Sequence, residues 1–285
     1  MPNRLLVVLG FTAIVVLAAA REMAPPRAST LGAMGHGPTV ILVHGLGSRA
    51  SYWFPVARDL ARDHRVVLVE LPGHGQAAMP HPFTLDQATL MLDRAIADQG
   101  DEPVVLVGHS VGGLVAAAEA VRDPRRVRAL VLVEAALRPQ FTPRERNALL
   151  ASLDRDWAGT LHDVYLGFGR DSAQGEALYA EAVRVDRAAM RAWIELALRA
   201  DLSRAAAGIE APVLAVLAPH SWDDGERWAA VADSLGYTRI PNLTPLRLEG
   251  CGHFVMLDRP QELAGAIRRF ERASATPDAI ASAGR

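Results

Sequence analysis

Short apolar runs alternate with stretches of helical periodicity along most of this chain. The runs fall at 39–43, 65–70, 103–107, 128–134, 212–218 and 245–249. Runs this short, rich in Val, Leu and Ile, suit strands buried on both faces of a parallel sheet. Helical patterns lie between them, at about 53–62, 85–98, 111–122, 225–235 and 261–272. In the second of these, Leu85, Ala88, Leu92 and Ile96 form one apolar stripe. The alternation predicts an α/β fold: a doubly wound, mostly parallel sheet of about six or more strands with right-handed crossovers. Residues 138 to about 205 break the alternation. They carry helical patterns at 144–154, 161–168, 176–185 and 188–202 and no strand candidate, which predicts a helical insertion.

Composition narrows this picture. A length of 285 residues suits one α/β domain with a lid and is short for two independent domains. Lys and Arg total 30 against 32 Asp and Glu, for a formal net charge of −2, so the basic surplus of a nucleic-acid binder is missing. The one cysteine, Cys251, excludes an internal disulfide and reads as a small buried residue in a turn. No H-x-x-x-H or Cys/His cluster marks a metal site, and no cofactor motif is evident.

The N-terminus carries a separate message. Arg4 is followed by apolar or small residues from 5 to 20 and then by Arg21, with Ala18, Ala19 and Ala20 fitting a cleavage site. Residues 1–21 therefore read as a signal peptide or membrane anchor, and Pro-, Gly- and Ala-rich residues 22–37 as a linker. The expected plan continues with a core at 38–137 and 206–273, the helical insertion at 138–205 and a disordered tail at 274–285. It implies a periplasmic, secreted or membrane-anchored protein, with any membrane association running through residues 5–20.

The chemistry centres on Gly108-His109-Ser110-Val111-Gly112, between the run 103–107 and the helix 111–122. Strand, G-x-S-x-G, helix is the setting of a nucleophile elbow. The serine sits at the tip of a tight turn, and the Val111 N–H, at the helix N-terminus, points where an oxyanion forms. The residue before such a serine faces away from the attack side, so His109 reads as a packing or hydrogen-bonding neighbour.

The strand 39–43 ends in His44-Gly45-Leu46-Gly47, the strand 65–70 leads into Leu71-Pro72-Gly73-His74-Gly75, and Gly252-His253-Phe254 lies near the C-terminus. With the elbow, these motifs resemble the α/β-hydrolase superfamily in order and spacing over residues 38–272. The resemblance implies that Leu46 gives the second oxyanion-hole N–H, that His253 is the base, and that the helical insertion is a cap over the serine. Trp157, Tyr165, Phe168, Met190, Trp193 and Ile194 are then candidates to line an enclosed, mostly apolar pocket. It also implies that the small N-terminal strands of larger relatives are missing or reduced.

The triad's acid departs from the pattern. Its usual position, about nine residues beyond the proline that begins the penultimate strand, is Ser221 here. Asp223 and Asp224 follow in the same loop. Some relatives take the acid instead from the end of the strand after the elbow, which corresponds to Glu134. Glu134 is placed first and the Asp pair kept as the alternative. Taken together, the resemblance implies a serine hydrolase cleaving a small to medium carboxylic ester through an acyl-enzyme on Ser110. Thioester, lactone, amide or carbon–carbon bond hydrolysis, a cofactor-free haloperoxidase-like perhydrolase, and a non-catalytic binder share these motifs. Oligomeric state is not legible.

Overall fold

The computed structural model describes residues 29–274. Its strands are β1 (Ser29–Met34), β2 (Thr39–Val43), β3 (Arg65–Glu70), β4 (Val104–His109), β5 (Val127–Val133), β6 (Val213–Leu217) and β7 (Leu243–Arg247). They form one seven-stranded sheet in the order β1-β3-β2-β4-β5-β6-β7. All neighbours pair in parallel except β1, which runs antiparallel to β3.

From β2 to β6 the apolar runs are strands because both sheet faces are buried; at the edge strand β7 the side chains are only partly covered. In β2, Val40 and Leu42 join one hydrophobic core while Ile41 and Val43 join the other. The first of these cores is covered by α1 (Phe54–Leu60) through Val56 and Leu60. The second lies under α2 (Leu85–Ala97) and α3 (Val111–Arg122), through Leu92, Leu114 and Val115.

Four helices follow β5: α4 (Pro143–Arg155), α5 (Trp157–Phe168), α6 (Ser172–Ala182) and α7 (Arg187–Ala197). This is the cap. Each helix starts where a side-chain oxygen takes a first-turn N–H: Thr142, Asp156, Asp171 and Asp186. These caps explain why α5 and α6 begin four residues before the apolar periodicity does. After β6 the chain returns to the core with α8 (Trp228–Leu235), the short α9 (Val255–Asp258) and α10 (Pro260–Ser274). Leu263 and Ile267 of α10 pack beside α1.

One expectation is corrected. Part of the segment read as linker, Ser29–Met34, is an edge strand, paired from Ser29↔Glu70 to Met34↔Val66 with a register shift between Thr30 and Ala33. Gly32, at φ +98°, lies within that irregularity. The strand escaped the hydrophobic pattern because its side chains are largely exposed and its backbone supplies the pairing. The signal peptide or anchor expected at 1–21, and the tail expected beyond Ser274, lie outside the described residues. Among the described residues no helix is long and apolar enough to cross a membrane.

The order of strands places the site. From β2 the chain moves outward to β3 and then returns to the other side of β2 as β4. The loops leaving the carboxyl ends of β2 and β4 therefore diverge at a topological switch point, where open α/β sheets form their ligand crevices. The two loops are in close contact: a Cβ on Gly112 would stand 2.2 Å from the His44 carbonyl oxygen. Gly112→Ala should destabilise the fold by about 1–3 kcal/mol, since backbone cannot step aside as a side chain can. Urea unfolding measures this, and an unchanged midpoint would mean that the end of β2 is free to move.

Candidate active site

Ser110 stands between β4 and α3 with φ 52° and ψ −125°. Its N–H donates to the Val133 carbonyl at 3.0 Å, and its own carbonyl accepts from Gly113 at 2.9 Å. The turn is thus pinned to β5 on one side and to the helix on the other. The hydroxyl makes no helix-capping hydrogen bond, so it is not spent on structure. The His44–Gly47 loop packs against it, with the Cβ position of Gly45 only 3.1 Å from Ser110 Cβ.

Glu134 follows β5 directly. Among the described residues, Ser110 and Glu134 are the non-glycine residues with positive φ. Each such backbone costs on the order of 1–3 kcal/mol and persists only when its surroundings over-determine it. Around Glu134 they do. Its N–H donates to the Val216 carbonyl at 2.9 Å. Its Oε1 accepts from the Ala218 N–H at 2.6 Å, and its Oε2 from Ser221 Oγ at 2.9 Å. His253 Nδ1 lies 3.1 Å from the same Oε2, and His220 Nε2 lies 3.0 Å from it. Burial pushes the carboxyl upward, but the two imidazoles outweigh burial and hold it at about 2. The contact of Nδ1 with Glu134 fixes the orientation of the His253 ring.

His253 is fixed from several sides. Its ring stacks on Phe168, with centroids 4.5 Å apart and planes 22° apart. Its backbone N–H donates to the Phe168 carbonyl at 3.2 Å. Its own carbonyl accepts from His109 Nε2 at 2.9 Å. Burial drives the His109 pKa well below the usual imidazole value, so His109 stays neutral and acts as a donor.

Ser110, Glu134 and His253 open onto one cavity of about 340 Å³. Val111, Leu114, Leu217 and Leu235 of the core line it, together with Phe168, Ala197 and Leu198 of the cap. Arg138, Gln140, His220 and Ser221 supply its polar groups.

Several sequence expectations change here. Of Trp157, Tyr165, Phe168 and Trp193, Phe168 lines this cavity and the other three do not. The Trp157 ring lies 4.8 Å beneath the Arg187 guanidinium. Tyr165 and Trp193 are buried, and their polar tips donate to backbone carbonyls of Leu46 and Pro72 at 2.9 and 2.8 Å. Helical spacing identifies large cap residues but not which way each one turns. His253 Nδ1 meets Glu134 and neither aspartate, and Asp224 is drawn outward to Arg247 at 2.6 Å.

Sequence reasoning missed His220, which belongs to none of the motifs. It is half-exposed, lines the cavity and touches Glu134. Its one signal was its place beside Ser221, at the loop position that usually supplies the acid. Glu134 raises its pKa against the opposing effect of burial, with Asp223 adding to the rise. Glu134, His220 and His253 also bring potential metal-ligand atoms within 4.8 Å of one another. These contacts join two imidazoles to one ionised carboxylate. Cys251 donates to the Leu248 carbonyl at 3.1 Å, and burial lifts its thiol to about 11, leaving it protonated.

The sequence profile of the alpha/beta hydrolase family matches residues 40–266. The chain belongs to that family and is a hydrolase. It is 31% identical over 256 residues to a pimeloyl-[acyl-carrier protein] methyl ester esterase of Xanthomonas campestris pv. campestris (strain B100), covering 83% of this chain and 96% of the esterase. It is also 31% identical over 251 residues to the polyketide synthase ThaQ of Burkholderia thailandensis, spanning 83% of this chain but 12% of the synthase. A bromoperoxidase from Bacillus anthracis shares the fold, with a TM-score of 0.75 at 18% identity over 88% of this chain and 97% of that one.

The titrations at Glu134 and His220 have opposite signs for stability. The folded value of Glu134, about 2, lies below its ordinary 4.5. Its contribution is complete above about pH 4.5 and is lost as pH falls toward 2. His220 is raised above 6.5, so its contribution is complete below that pH and is lost as pH rises through the elevated value. The stability deficit of Glu134→Gln should therefore shrink between pH 5 and pH 2, as read by urea unfolding. A deficit unchanged over that range would show that Glu134 is not held ionised in the folded state.

Proposed function

We propose that this hydrolase cleaves carboxylic esters of small to medium size through an acyl-enzyme on Ser110. The observation that carries the reading is the hydrogen bond from His253 Nδ1 to Glu134, on a cavity that also exposes Ser110. A serine hydroxyl is a poor nucleophile near neutral pH and needs an oriented base. Glu134 sets the tautomer of His253, so that Nε2 accepts the serine proton as Oγ attacks the ester carbonyl carbon. The carbonyl electron pair moves onto oxygen, and the N–H groups of Leu46 and Val111 stabilise that oxyanion. As the tetrahedral intermediate collapses, the imidazolium returns its proton to the leaving alcohol. Water then attacks the acyl-enzyme with the same base, releasing the carboxylic acid and restoring Ser110. Glu134 stays ionised throughout and stabilises the imidazolium.

The apolar wall supports an acyl chain as the buried portion of the substrate. The 31% identity to an enzyme named for a methyl ester supports an ester rather than an amide. Ser110→Ala should abolish both ester turnover and labelling by a fluorophosphonate probe, with the fold unchanged by circular dichroism. Labelling that survives in this variant would sink the serine mechanism, and a wild-type protein that does not label would instead be a binder. On one ester, Glu134→Gln should lower turnover by roughly four orders of magnitude, the usual loss when a triad's acid loses its charge. Asp223→Asn and Asp224→Asn should stay near wild type. The reverse pattern would return the acid to the loop after β6.

A further inference from the structure

The oxyanion loop is held by more than its own turn. Tyr165, on the cap helix α5, donates its hydroxyl to the Leu46 carbonyl at 2.9 Å. His74, in the loop after β3, accepts the Gly47 N–H on its Nε2 at 3.1 Å. These groups are the two ends of one peptide unit, Leu46–Gly47. The His74 ring is fixed in turn, because its Nδ1–H donates to the Pro72 carbonyl at 3.1 Å. Trp193 of α7 donates to that same carbonyl at 2.8 Å. The preceding peptide, Gly45–Leu46, is anchored at its carbonyl by His44 Nδ1 at 2.7 Å and Ser48 Oγ at 3.2 Å.

We infer that Tyr165 and His74 are positioning residues that aim the Leu46 N–H at the developing oxyanion, so that the cap helps to build the oxyanion hole as well as covering it. The inference rests on the proposed role of Leu46. A peptide unit is planar, so fixing its carbonyl and its N–H fixes the whole plane. With the Gly45 carbonyl also held, the Leu46 N–H lies between two pinned groups and has little freedom to turn. Oxyanion donors act only within about 2.7–3.1 Å of the charge, so this restraint bears on rate. Both side chains suit the task. Tyr165 and His74 are buried. Burial, with a smaller push from His44, lowers the His74 pKa to about 3, so near neutral pH the ring stays neutral and keeps an acceptor nitrogen, which its two hydrogen bonds make Nε2. Tyr165 reaches the loop because residue 47 is glycine: a Cβ there would stand 1.9 Å from the tyrosine oxygen. One helical turn further, Phe168 stacks on His253, so a single face of α5 touches both the oxyanion loop and the base.

The test separates aim from mere folding. Tyr165→Phe removes one hydroxyl and keeps the ring. It should lower kcat by roughly 10- to 100-fold, the scale of a misaligned or lost oxyanion donor, with KM nearly unchanged. A trifluoromethyl ketone adds to the serine and forms a tetrahedral oxyanion, so its inhibition constant should rise in parallel with the loss of kcat/KM. For His74, the glutamine variant, which carries both a donor and an acceptor, should retain more turnover than His74→Ala. Wild-type kcat in Tyr165→Phe, a loss confined to KM, or trifluoromethyl ketone affinity unmoved while turnover falls would each overturn the inference. Failure of the serine reading would show elsewhere, as ketone binding and turnover that persist in Ser110→Ala.

Discussion

The parallel pairing of β4 between β2 and β5 fixes where Ser110, Leu46 and Glu134 stand. Parallel neighbours end at the same edge of a sheet, so the loops leaving these strands emerge side by side. β4 delivers Ser110, β2 the loop with Leu46, and β5 Glu134. The register ties them further: Gly108 is opposite Val43 on one side and Leu132 on the other. The next strand, β6, ends where Ala218 and Ser221 can donate to the carboxylate of Glu134. A one-residue slip in any of these ladders would turn the strand's buried residues to the opposite face and move the loop it carries.

That framework also bears the strain of the site. Ser110 and Glu134 occupy backbone conformations that side chains ordinarily avoid. Both residues donate their N–H to a neighbouring strand, Ser110 to Val133 and Glu134 to Val216. The unfavourable φ angles are therefore held by the hydrogen bonding of the sheet and by the two cores packed on its faces, not by contacts of the side chains alone. The carboxylate is satisfied in the same way. A buried, ionised Glu134 would be costly without partners, and it has backbone, hydroxyl and imidazole groups around it.

The cap enters the same network. It closes the cavity with Phe168, Ala197 and Leu198 and sends two buried side chains, Tyr165 and Trp193, to the loops beneath it. These contacts end on backbone carbonyls, which hold loop geometry whatever residue occupies the position. His220, half-exposed, adds a second imidazole to Glu134. It places a titrating group beside the pair Glu134–His253 without taking the place of either.

What the sequence determined by itself was local. Strands at both buried faces, the helical cap, the elbow at Ser110 and the histidine loop at His253 are set by periodicity and by short motifs within a few neighbouring residues. The choice among Glu134, Asp223 and Asp224 could be framed from position but not closed, because it turns on which loop reaches His253 across the sheet edge. The directions of Tyr165 and Trp193, and the meeting of His220 with the acid, were decided only by tertiary structure. A helix stripe says that a residue is buried and is silent about its partner more than a hundred residues away. The edge strand Ser29–Met34 was hidden for a related reason. Its side chains are mostly in water, and its place is set by backbone hydrogen bonds to β3 that leave no mark on the pattern of residues.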